Sequence, residues 1–76
     1  MRELVEFIEK SLVDDGESVK TTASERDSAT VIELEVAQAD LGKVIGRQGR
    51  TARAIRTLLT AAGQKSRRRY ILDILD

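Results

Sequence analysis

An α+β fold in the order α-β-β-α-α-β, its three-stranded sheet carrying the helices on one face, is what this 76-residue sequence predicts. Three observations carry that expectation. Apolar residues recur at helical spacing over residues 2–13 and again over 50–62. They alternate with polar residues over 29–37 and 67–75, the period of a strand with one wet face. Two glycines three apart, Gly46 and Gly49, interrupt a helical pattern between Asp40 and Ala62. A chain of this length has room for one core, so residues 1–76 are read as a single domain.

The first helix, over 2–13, has Leu4, Val5, Phe7, Ile8, Leu12 and Val13 as its apolar stripe, with Glu3, Glu6, Glu9 and Lys10 outside it. Phe7 is expected in the core. Asp14-Asp15-Gly16 ends the helix, with Gly16 able to supply a left-handed cap. Residues 17–24 alternate through Val19, Thr21 and Ala23 and read as an edge strand, followed by a polar turn over 24–28. The clearest strand is 29–37, with Ile32, Leu34 and Val36 on one face and Val31, Glu33 and Glu35 on the other. Asp40 is placed as the N-cap of a short helix reaching Val44 and Ile45. After the glycines, residues 50–62 form a helix that buries Ile55, Leu58, Leu59 and Ala62, and Gly63 stops it. The last strand, 67–75, presents Tyr70, Leu72 and Ile74 on one face.

Composition excludes several chemistries. The sequence has neither cysteine nor histidine, so it can form no disulfide, no Cys/His zinc site and no imidazole base. No Walker A or GxGxxG pattern occurs, and the carboxylates lie at solubility-like spacing on wet faces. The sequence predicts no enzyme, no cofactor, no metal and no small-molecule substrate. It also has no apolar run of membrane-spanning length and no secretory-type N-terminal pattern, so a cytoplasmic protein is expected. The formal net charge of zero hides a strong polarity. Residues 1–39 carry four basic and ten acidic side chains, whereas residues 40–70 carry nine basic side chains and Asp40 as the one acid. Such a one-signed patch is the electrostatic footprint of phosphate contact.

That patch surrounds the most informative stretch, Val44-Ile45-Gly46-Arg47-Gln48-Gly49. Glycine lets backbone approach another polymer without a Cβ in the way, and the helix that follows directs its unpaired N–H groups and positive dipole end toward the loop. A phosphate fits there. The tract from Asp40 to Leu59, with Ile55 six residues after Gly49, resembles the signature of the KH RNA-binding domain, whose GxxG loop clamps about four nucleotides. Only 27 residues follow Gly49, enough for one helix and one strand, so the order matches the type II KH topology. The whole chain is similar to the KhpA (YlqC) family of small, single-KH bacterial RNA-binding proteins.

The resemblance implies that Gly46 and Gly49 let the phosphodiester pass, that the amides of Arg47, Gln48, Gly49 and Arg50 face its oxygens, and that Arg47 and Arg50 add charge-assisted hydrogen bonds. Lys43 and Arg53 are further phosphate candidates, while Arg56 reads as plain surface. Val44 and Ile45, with Val36 beneath them, are groove candidates for bases, although each is also an ordinary core residue. Arg67-Arg68-Arg69 reads either as an extension of the phosphate track or, the slightly favoured reading, as edge-strand charge that discourages sheet-to-sheet pairing. Self-association, pairing with the larger KH protein KhpB (Jag), and post-transcriptional control affecting cell shape and cell-wall growth are likewise implied by the resemblance. Two other readings remain open: a protein-interaction adaptor that keeps a non-binding KH fold, and a helix-turn-helix DNA binder reading bases through Arg50, Arg53 and Arg56.

Overall fold

A computed structural model describes residues 1–75. Helix α1 spans Arg2–Leu12, strands β1 and β2 span Lys20–Arg26 and Ala29–Glu35, helix α2 spans Leu41–Ile45, helix α3 spans Arg50–Ser66 and strand β3 spans Arg69–Ile74. Short 3₁₀ turns at Gly16–Ser18, Gln38–Asp40 and Arg47–Gly49 connect them. The expected element order is therefore observed. Strand β2 is central, antiparallel to β1 and parallel to β3. A parallel pair needs a long crossover, and the α2-loop-α3 unit is that crossover.

Alternation along β2 puts Ile32 and Leu34 on the helix side, opposite Ala23 and Thr21 of β1 and Leu72 and Ile74 of β3. Val5 from α1, Val44 from α2, and Ile55 and Leu59 from α3 close over them, with Val19 at the entry to β1. Every helix thus contributes to one apolar layer on one face of the sheet.

The differences from the sequence expectation are instructive. The face of α1 that meets the sheet is centred on Val5, Ile8 and Glu9, rotated from the stripe expected. Glu9 is completely buried, whereas Phe7 is 69% exposed and Leu4 48% exposed. A one-residue offset turns a side chain by about 100°, so a crowded apolar pattern offers two docking faces and the sheet selects one. Leu58 is also exposed, one position from the buried Leu59.

Gly16 is not left-handed. Helix α1 ends at Leu12 with Val13 already extended, and Gly16 begins a 3₁₀ turn. Strand β1 starts later than expected and runs through Ser24 and Glu25 to Arg26, because the hairpin closes on only two residues. Asp27 (φ 48°) and Ser28 (φ 69°) both take positive φ, as a primed two-residue turn demands.

Gly63 does not stop α3. The helix continues to Ser66, and Arg67 (φ 56°) supplies the left-handed end while the Arg68 amide donates to the Gly63 carbonyl at 2.7 Å. Gly63 is needed for space: a Cβ there would clash with the Arg68 carbonyl oxygen and come within 3.3 Å of the Tyr70 ring. The chain returning into β3 passes over it.

Candidate nucleic-acid interface

Helix α2 is only five residues long and stops where Gly46 turns to φ 80°, ψ 169°. That combination of angles is essentially restricted to glycine. The space fits the same conclusion, since a Cβ on Gly46 would overlap the Thr51 hydroxyl and sit 2.8 Å from the Thr51 backbone nitrogen. The missing side chain of Gly46 therefore serves the loop's own closure against α3. Gln48 (φ 57°, ψ 26°) and Gly49 (φ 74°, ψ 14°) follow in left-handed conformations. A Cβ on Gly49 would meet nothing within 4 Å, so Gly49 is the glycine beside open space.

The resemblance placed four amides toward a ligand, and the loop itself uses two of them. The Gly49 amide donates to the Gly46 carbonyl at 3.1 Å, and the Arg50 amide donates to the Arg47 carbonyl. The Arg47 and Gln48 amides lie between the break at Gly46 and the start of α3.

Around them Arg47, Gln48, Arg50 and Arg53 are all exposed, and Arg50 Nη2 donates to Gln48 Oε1 at 3.3 Å. Lys43, on α2, is exposed too but carries an ion pair with Asp14, and its Nζ lies 3.8 Å from Asp40 Oδ1. The hydrogen bond to Asp14 is the main reason that the ammonium is held above the ordinary lysine pKa. Ile45 is half-buried. Val44 is completely buried, so its part is to anchor α2 in the core and not to touch a base.

Asp40 has a role different from the one expected. Its side chain makes no cap to α2; it is buried and accepts hydrogen bonds from the backbone amides of Asp14 (3.4 Å) and Asp15 (3.0 Å). The connector after α1 contains two free amides that only a tertiary neighbour can satisfy, and that demand outweighs local capping.

Two arginines are placed by the fold in ways their spacing did not indicate. Arg56, expected as plain surface, donates from Nη2 to the Leu72 carbonyl at 3.4 Å, across the free edge of β3. Together with Thr60, Tyr70 and Leu72 it lines a cleft of about 400 Å³ between α3 and that edge. Arg68 bonds both carboxylate oxygens of Glu25 (2.9 and 3.0 Å) and the Thr30 hydroxyl (3.0 Å), tying β3 to the β1–β2 hairpin. Among the described residues no helix is long and apolar enough to cross a membrane, and no group of His, Cys, Asp and Glu could hold a metal ion.

A helix–GxxG–helix unit set on a three-stranded mixed sheet defines a KH domain, and the helix and hairpin preceding it give the type II order. The chain belongs to the KhpA/KhpB family: the family model described as "KhpA/KhpB, KH domain" matches residues 2–74. Three curated relatives are each named RNA-binding protein KhpA. The one from Borreliella burgdorferi is 57% identical, covering 97% of this chain and 90% of its own. That from Aquifex aeolicus is 50% identical over 100% of this chain and 96% of its own, and that from Caldanaerobacter subterraneus is 48% identical over 99% and 100%. No solved structure matches the chain.

Proposed function

We propose that this protein binds single-stranded RNA by its backbone, with the segment from Gly46 to Gly49 as the clamp. The observation that carries the reading is the glycine-only break at Gly46 and the open side of Gly49, flanked in the chain by the exposed side chains of Lys43, Arg47, Gln48, Arg50 and Arg53. Phosphate oxygens would accept from the loop amides of Arg47 and Gln48 and from the Arg47 and Arg50 guanidinium groups, with Lys43 and Arg53 as further phosphate contacts. Contacts of this kind position the strand without reading its sequence. Ile45 is the loop-side apolar surface available to a base. The name of the relatives, RNA-binding protein KhpA, supports RNA as the ligand.

The test is the double substitution Arg47→Asp with Gln48→Asp. Both side chains are exposed, so the melting curve stays near wild type while affinity for a short unstructured RNA falls by at least an order of magnitude, about two phosphate contacts' worth. Unchanged RNA affinity in a folded double variant would falsify the loop assignment. Duplex DNA is expected to compete poorly. A clear duplex preference would favour the helix-turn-helix reading, although β3 following directly on α3 argues against it.

The reading extends to a cytoplasmic post-transcriptional regulator or RNA chaperone that works as a homodimer or with a KhpB/Jag-like partner. The family's joint description of KhpA and KhpB supports the partnership, and the exposed side chains of Leu4, Phe7 and Leu58 favour association with another protein surface. Sedimentation should then report a mass above the monomer at high protein concentration. A clean monomer there removes the self-association.

A further inference from the structure

The loop region's cations are almost free of acids, with one exposed exception. Residues 40–70 contain Asp40 as their sole carboxylate, and Asp40 is buried, accepts from the Asp14 and Asp15 amides and lies 3.8 Å from Lys43 Nζ through Oδ1. Those two hydrogen bonds fix the connector after α1 against the head of α2. They thereby set the Asp14 carboxylate beside Lys43, in the helix that runs directly into Gly46. Asp14 is 84% exposed and Lys43 45% exposed, so the pair stands in water, at the short helix that leads into the loop. An ion pair so placed is weak and screened, which lets a phosphate compete for the lysine.

We propose that Asp14 is a built-in competitor of the RNA backbone: its carboxylate occupies Lys43 in the free protein, and a bound strand must displace it. This rests on the reading of the Gly46–Gly49 loop as the RNA clamp, and it adds a regulatory residue to that site. The buried Asp40 holds Asp14 through backbone amides, so the competitor's position does not depend on its own charge. The competition lowers affinity and favours a multivalent strand over a single phosphate, because a polymer held by the loop presents its next phosphate at high local concentration.

The test is a double-mutant cycle on RNA affinity at fixed salt with Asp14→Asn, Lys43→Ala and the pair together. Asp14→Asn keeps both amides donated to Asp40 and so keeps the melting curve. The expected result is about threefold tighter binding from Asp14→Asn in the wild-type background, no gain in the Lys43→Ala background, and weaker binding from Lys43→Ala alone. The proposal is overturned if Asp14→Asn leaves affinity unchanged or lowers it, or if it tightens binding equally without Lys43, which would make it a general charge effect. The Arg47→Asp/Gln48→Asp variant measured alongside separates the two readings. If that variant still binds RNA normally the clamp itself is wrong, whereas its failure to bind with a flat Asp14 cycle removes only the competitor.

Discussion

Gly46→Ala will destabilise the domain far more than Gly49→Ala, although the two glycines look equivalent in the GxxG pattern. At Gly46 an alanine must hold φ 80°, ψ 169°, which costs about 1–3 kcal/mol for a residue with a Cβ. Its Cβ must also find room 2.7 Å from the Thr51 Cβ and 2.8 Å from the Thr51 nitrogen, and backbone cannot step aside as a flexible side chain can. Such overpacking adds about 1–3 kcal/mol. The expected total is on the order of 3–5 kcal/mol, which for a domain of this size lowers the melting temperature by more than about 10 °C. At Gly49 a Cβ meets nothing, so only the left-handed φ of 74° is penalised, by about 1 kcal/mol. Urea or thermal denaturation of the two variants checks the contrast, and equal losses would mean that Gly46 is not fixed by its own loop.

The second large effect concerns Glu9. Its side chain is completely buried, and neither carboxylate oxygen has a hydrogen-bond partner. Desolvation raises its pKa from 4.5 to about 7. The folded protein therefore keeps a proton that the unfolded chain gives up between those two values. As far as this group is concerned, stability is greatest below pH 4.5, declines as pH rises through the window, and has lost the full contribution above pH 7. The difference amounts to roughly 3 kcal/mol. Glu9→Leu should remove the decline and gain about that much at pH 8. Glu9→Gln should flatten the profile with a smaller gain, because an unpartnered amide is still costly to bury. The measurement is the difference in urea-denaturation free energy between variant and wild type from pH 5 to pH 8, in which the titration of all other groups cancels. A difference independent of pH would show that Glu9 reaches a partner or water when ionised.

Much of the fold was legible in the residues. The alternation of Ile32 and Leu34 located the central strand, and the spacing of Ile55 and Leu59 located the inner face of α3. Gly46 and Gly49 marked the break between two helices because few residues other than glycine tolerate such backbone angles. The placement of Lys43, Arg47, Arg50 and Arg53 around that break was also visible, since a one-sided run of cations needs no coordinates to recognise.

Other residues were misjudged for a shared reason. Phe7 and Glu9 exchanged places because helical periodicity gives an apolar arc but not its centre, which depends on how α1 rolls against β1 and β2. Gly63 looked like a terminator because local sequence does not reveal that the chain returning at Arg68 passes over that point. Asp40 looked like a cap because the amides it accepts lie 25 and 26 residues away in the chain. Arg56 looked like plain surface and Arg68 like one of three basic residues entering the last strand until β3 and the hairpin supplied a carbonyl and a carboxylate for them.

By itself, then, the sequence determined the order of helices and strands, the break at the paired glycines and the charge around it, because each is set by neighbours within a few residues. Tertiary structure alone decided which face of α1 is buried, which of the two loop glycines is packed against α3, and which cations already have an anion. Those depend on groups far apart in the chain being brought within a few ångströms, where desolvation and hydrogen-bond demand outweigh local preference.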